Sequence, residues 1–262
     1  MDKQTIIDKL QPTLKSVFKI VRSTEAYNED TDIKVSKVGG VPYWPKGKDY
    51  PILEDKKVKL IFQLNLDEAK QSGIDFSKAI PEMPETGILQ FFFPYQDDMW
   101  GYESDISVIY HEDTSAEHFL SDEEIQVNKD HDETPFDKST RVSFVLKSEL
   151  LGPQDLYNQT IHEDLIKTLG LDDESEELYY DIEEVSNHGS KVGGYAYFTQ
   201  WDPLDYLDKE KLPKDIVLLL QLDSDDELSL LWGDCGVANW RISAEKLKTC
   251  DFSNIYYNWD CS

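Results

Sequence analysis

Apolar positions recur at Ile6, Ile7, Leu10, Leu14, Val17, Phe18 and Val21, a helical spacing that predicts an amphipathic helix over 3–21, interrupted at Pro12. Its opposite face mixes both signs of charge, which suits docking on a protein core better than docking on a membrane. Between Ser36 and Pro45, two glycines and two prolines exclude a regular element, so the segment reads as an ordered turn pinned by Tyr43 and Trp44. Length and apolarity predict a buried strand at Leu60–Leu66, and further strands are read at Ile88–Phe93, Ile106–Tyr110 and Arg141–Leu146. A short helix over 67–72 ends at Gly73, and the polar, acid-rich stretch 121–137 reads as a loop. Tyr157, Ile161, Leu165 and Leu169 step by four and predict a helix from Pro153 that Gly170 closes. Residues 172–184 hold acids and no base, the pattern of an exposed acidic stretch. Ile216–Leu222 then reads as a strand, Asp223–Asp226 as a turn, and Glu227–Trp232 as the returning strand of a hairpin.

The second half repeats signals of the first. Ser190–Gly194 copies Ser36–Gly40 residue for residue, and Leu218–Asp223 echoes the run around Gln63. Leu231–Gly233 echoes Met99–Gly101, and Ser243–Glu245 copies Ser115–Glu117, all in the same order. Four matches in one order point to duplication, and the period is too long for a solenoid. The expected fold is therefore α+β and strand-dominated: an internal duplication of a β-rich unit packed about a pseudo-twofold axis, with an N-terminal helical segment. The divisions are a helical lead over 1–30, a first repeat over 31–150 and a second over 151–262. No Gly/Ser- or Pro-rich linker separates the repeats, so they should share one core, each covering the other's sheet edges.

Composition changes this picture in one respect. A 39% hydrophobic content suffices for a core, but 53 Asp and Glu against 26 Lys and Arg leave a net charge of −27. A field of that sign repels nucleic acid and anionic membranes and attracts basic proteins. The three cysteines, Cys235, Cys250 and Cys261, form no CxxC pair and no even framework. With no signal-peptide pattern and no apolar run near the roughly twenty residues of a membrane span, a reducing, cytoplasmic setting is expected.

Catalytic signals are weak. His111-Glu112-Asp113 and His131-Asp132-Glu133 lack the HExxH spacing of a zinc helix, and such neighbours arise from acidic composition alone. His162 sits one step from Ile161 on the expected 153–169 helix, at the edge of the core. Asp223–Glu227 lacks the central glycine of a calcium loop. Cys235 stands beside Asp234, without the basic neighbour of a reactive thiol. No catalytic residue, metal site or cofactor is assigned. The glycine pairs Gly39-Gly40 and Gly193-Gly194 serve either tight turns or backbone N–H groups held open for a ligand, and they match no nucleotide-binding pattern. Gln63 and Gln221, amides inside apolar strands, either brace the neighbouring glycine turns or line a cleft between the halves. His188 and Gln200 complete that candidate cleft.

The motifs KVGGxPYWP (from Lys37), FQLNL (from Phe62), TGILQFFF (from Thr86), GGYAYFTQWDP (from Gly193), LLLQLDSD (from Leu218) and WGDCG (from Trp232) together resemble the YwqG-like family, a group of unknown function (DUF1963). The likeness runs from about residue 36 to residue 242. It implies that Trp232 belongs with the candidate residues, and it supplies no activity. Two functions are expected of such a chain. The first is non-enzymatic binding of a basic protein partner through the acidic surface, for instance as an immunity-type inhibitor. The second is a small-ligand or metal-dependent activity in a cleft between the repeats.

Overall fold

Residues 15–22 form a strand, β1 (Lys15–Arg22), and this overturns the helix expected over 3–21. Helix α1 spans only Lys3–Leu10, where the Asp2 side chain caps Thr5 N. A single 3-10 turn containing Pro12 follows, at Gln11–Thr13. The apolar residues beyond it, Val17, Phe18 and Ile20, are buried on both faces of a strand in the middle of a sheet, so their spacing shows no period of two. The computed structural model describes residues 2–53, 56–93, 108–125, 134–152, 155, 167, 170, 177–179, 181–182, 185–208 and 210–261. The strand expected over 106–110 appears as 108–111. His131, His162, Met99–Gly101, most of the 153–169 helix and most of the 172–184 stretch lie outside the described residues.

The further strands are β2 (Lys37–Val38), β3 (Ile52–Leu53), β4 (Lys56–Lys57), β5 (Lys59–Asn65), β6 (Ile88–Phe93), β7 (Val108–His111) and β8 (Thr140–Glu149). Then come β9 (Lys191–Val192), β10 (Ile216–Asp223), β11 (Val237–Ser243) and β12 (Tyr256–Asp260). β3 and β4 form a small hairpin of their own. The other ten make one sheet in the order β12-β11-β10-β9-β1-β8-β2-β5-β6-β7, antiparallel at every pairing. Its centre is the long β1–β8 ladder, from Lys15 opposite Glu149 to Arg22 opposite Val142. The first strand of the chain thus joins β9 of the second half, while β8 joins β2 of the first.

The expected return strand over 227–232 is not formed. β10 pairs instead with β11, and Leu230 closes a tight loop through its bridge with Asp225. Short helices punctuate the strands: α2 (Leu66–Gln71), capped by Asn65, α3 (Asp122–Ile125) within the expected 121–137 loop, and α4 (Ala244–Lys248) after β11. Ser115–Glu117 follows β7, whereas Ser243–Glu245 follows β11, so that echo does not mark like positions in the sheet.

The sheet curls over, and its inner face closes into one core. Phe91 of β6 and Trp240 of β11, far apart in strand order, meet edge-on with ring centroids 5.6 Å apart. Phe93 and Trp232 make a similar contact at 6.3 Å. Chain segments cover the outer face towards both ends of the sheet, while Val21, Val145 and Leu146 at its centre stay exposed. Ile33, Tyr43, Trp44 and Tyr50 pack over β5 and β6, and Ala196 and Phe198 pack over Leu218. No helix among the described residues is long and apolar enough to cross a membrane.

Candidate functional site

The two glycine turns are built alike. Gly39 and Gly40 adopt φ of 60° and 75°, and Gly193 and Gly194 adopt 78° and 82°, the left-handed region that glycine enters without a Cβ penalty. Close neighbours give a second reason: a Cβ on Gly39 would meet Phe136 at 2.6 Å, and one on Gly194 would meet Glu149 Oε1 at 2.0 Å.

Each turn is tied to the sheet by a buried glutamine. Gln63 accepts from Tyr43 N at 2.8 Å and donates to the carbonyls of Ile33 and Val35. Gln221 accepts from Tyr197 N at 2.8 Å and donates to the carbonyls of Asn187 and Gly189. Behind each glutamine stands a buried lysine. Lys37 donates to the carbonyls of Ile33 and Val41, and Lys191 donates to Asn187 O and to both oxygens of Glu149. Burial pulls both ammonium groups down to about 8. The polar row continues outward to Gln90, which donates to Tyr43 O, and to Asn239, which donates to Tyr197 O.

These bonds place Gln63 and Gln221 in separate regions of the sheet, each engaged with its own turn. Trp232 is 2% exposed in the common core. Gln200 is exposed and donates to Cys261 O. His188 is exposed, lies against the Tyr197 ring with centroids 3.8 Å apart, and has its basicity lowered by burial. Gly193 and Gly194 do reach a cavity, of about 240 Å³. Ala79, Ile80 and Pro81 from the first half face Val217, Leu218 and Arg241 from the second across it, with Lys15 and Asp155 at its polar side. Burial raises the Asp155 carboxyl above its usual range, reinforced by the charge of Asp202.

Arg241 connects this cavity to the surface. Its two terminal nitrogens donate to the two oxygens of Asp202, each at 2.7 Å, with both side chains buried. The guanidinium also stacks over Phe198. Asp202 caps the 3-10 turn Pro203–Tyr206 by accepting from Leu204 N. The anchored turn presents Trp201, 52% exposed, and Tyr206, 70% exposed, with ring centroids 6.3 Å apart. Asp205 lies between them in the chain, Asp208 and Glu210 follow, interleaved with Lys209 and Lys211, and Asp208 pairs with Lys211 at 3.2 Å. Neither this pair nor the Arg241–Asp202 pair is signalled by spacing in the sequence, because the anchor spans distant strands and the WDP motif carries no chemistry until the fold exposes it.

A family model described as a domain of unknown function, DUF1963, matches residues 36–261. No curated protein matches the chain.

Proposed function

The chain belongs to the DUF1963 family, and from that premise we propose a non-catalytic binding protein that seats a basic segment of a partner protein on Trp201 and Tyr206. The observation that carries this reading is the exposed aromatic pair held on a buried, doubly hydrogen-bonded Asp202–Arg241 anchor. Rigid Trp and Tyr side chains make strong contact sites at low entropic cost, and their faces attract Arg and Lys. The net charge of −27 favours a basic partner. An immunity-type inhibitor of a basic protein would bind in this way, and the sequence motifs resemble those of YwqG-like members. Titration with an arginine-rich peptide, followed by calorimetry at low and high salt, tests the reading. Trp201→Ala should weaken binding by about tenfold or more with an unchanged melting temperature. Equal affinity in the variant, or affinity indifferent to salt, overturns it.

A second reading places a small polar ligand in the cavity between the halves. Arg241 favours it, since its Nε is buried against the cavity without a hydrogen-bond partner. A thermal-shift series with free amino acids and small carboxylic acids should give a saturable rise that Pro81→Trp, at the rim, abolishes. No rise with any of them removes this reading.

The duplication belongs among these proposals. What supports it is the matched order of the two five-strand sets about β1–β8 and the matched glutamine and lysine bonds.

A further inference from the structure

The outer polar row ends differently at the two sides of the sheet. In the first half, Gln90 spends its amide N–H groups on Tyr43 O and Gln63 Oε1, which leaves its oxygen as an acceptor. His111, opposite Ile88 on β7, supplies the donor, with Nε2 at 2.9 Å from Gln90 Oε1. In the second half Asn239 stands where Gln90 does, opposite Asn258, and the position matching His111 is taken by Asp260, opposite Val237. A donor has been replaced by an acceptor.

Three oxygens on one face of the β11–β12 ladder are left without a partner in consequence. Asn239 Oδ1, Asn258 Oδ1 and Asp260 Oδ1 have no partner in hydrogen-bond geometry, and these residues are 0%, 8% and 5% exposed; the Thr199 hydroxyl, also unpartnered, lies beside Asp260 and adds a fourth oxygen to the place. Asn239 and Asn258 are directly opposed across the ladder, and Asp260 lies two residues along on the same face. Side chains so related stand about 4.5–5.5 Å and about 7 Å apart at their Cβ atoms, within reach of one common centre. Gln200 closes the place from outside: its N donates to the other oxygen of Asp260 at 2.9 Å, and its side chain bonds Cys261 O. Buried acceptors without donors are costly. No cluster of three ionisable ligands exists among the described residues, so the chemistry is that of amide and carboxylate oxygens, which suit a hard cation and not a transition metal.

We propose that Asn239, Asn258 and Asp260 form a calcium-binding site at the β11–β12 edge. One carboxylate, two amide carbonyls and water complete an all-oxygen shell, in which calcium tolerates irregular geometry better than magnesium does. The strongly acidic surface raises the local concentration of divalent cations.

The test is thermal unfolding and calorimetric titration of the chelator-treated full chain with calcium chloride, against magnesium, sodium and potassium chlorides at matched ionic strength. The wild type should show a saturable upward shift with calcium that the other salts do not reproduce. Asp260→Asn keeps the shape and the oxygen but removes the charge, and should lower calcium affinity at least tenfold. Asn258→Ala, on the edge strand β12, should do the same without unfolding the sheet. A calcium response unchanged in both variants overturns the assignment. So does no saturable response to calcium, the result expected if a buried water fills the place.

Discussion

Replacing Glu149 by alanine should destabilise the protein by about 3–5 kcal/mol, the range for stripping one partner from a buried ion pair. Glu149 receives Lys191 Nζ at 2.9 and 3.0 Å and Tyr195 N, and lies 3.7 Å from Lys19 Nζ. Without it, Lys191, fully buried, keeps only the carbonyl of Asn187 among these bonds, and the Tyr195 amide loses its acceptor. The melting temperature should fall by roughly 10 °C. Lys191 sits near 8 because burial opposes its charge, and Glu149 holds it from falling further, so without Glu149 the ammonium loses its proton at lower pH, and the deficit should narrow as pH rises towards 8 and level off above it. The double variant Glu149→Ala/Lys191→Met should recover most of the loss, since an apolar replacement removes the stranded charge. A deficit of less than 1 kcal/mol in chemical denaturation would mean that Lys191 finds other partners or water.

Acid should loosen the first half through His111. Burial, with the charge of Lys48 second, pushes this imidazole down to about 4, against an ordinary value near 6.5. Between those values the unfolded chain binds a proton that the folded protein refuses, so stability falls as pH drops from 6.5 to 4. The full effect is about 3 kcal/mol. His111→Gln keeps an N–H for Gln90 Oε1 and does not titrate, so its stability should be flatter than the wild type's across that window. Asp155 and Asp260, whose carboxyls are raised by burial, act in the opposite sense on both proteins, so the difference between the two curves isolates His111. Parallel curves would show that His111 is protonated or solvated in the folded state.

Strands β5, β6 and β10 are legible in the sequence because each is an apolar-rich run bounded by turn residues, and β8 because its β-branched and aromatic residues cluster over Val142–Leu146. β1 is not, because a strand with two covered faces loses its alternation, and Val17 and Phe18, adjacent and both buried, fit a helical stripe equally well. The false hairpin at 227–232 has the same origin: Leu228, Leu230 and Trp232 alternate as a strand does, yet they fill the core from a loop. The glycine pairs and glutamines are visible as repeated signals, and their bonds explain why each recurs with the other. Glu149, Asp202, Arg241 and Asn258 carry no local signal, since each acquires its role only from a partner brought over by the sheet.

The crossing of β1 and β8 has a consequence for how the chain is made. β1 leaves the ribosome early, yet its neighbours in the sheet are β8 and β9. At about 5–20 residues per second, the wait for residue 149 is on the order of ten seconds. During that interval Phe18 and Ile20 have no cover, and the first-half strands lack the β8 that closes their side of the sheet. A nascent chain halted before β9 offers an unfilled place beside β1, and the β9 of a neighbouring chain fits it. Translational pausing in that window should therefore favour intertwined dimers over monomers.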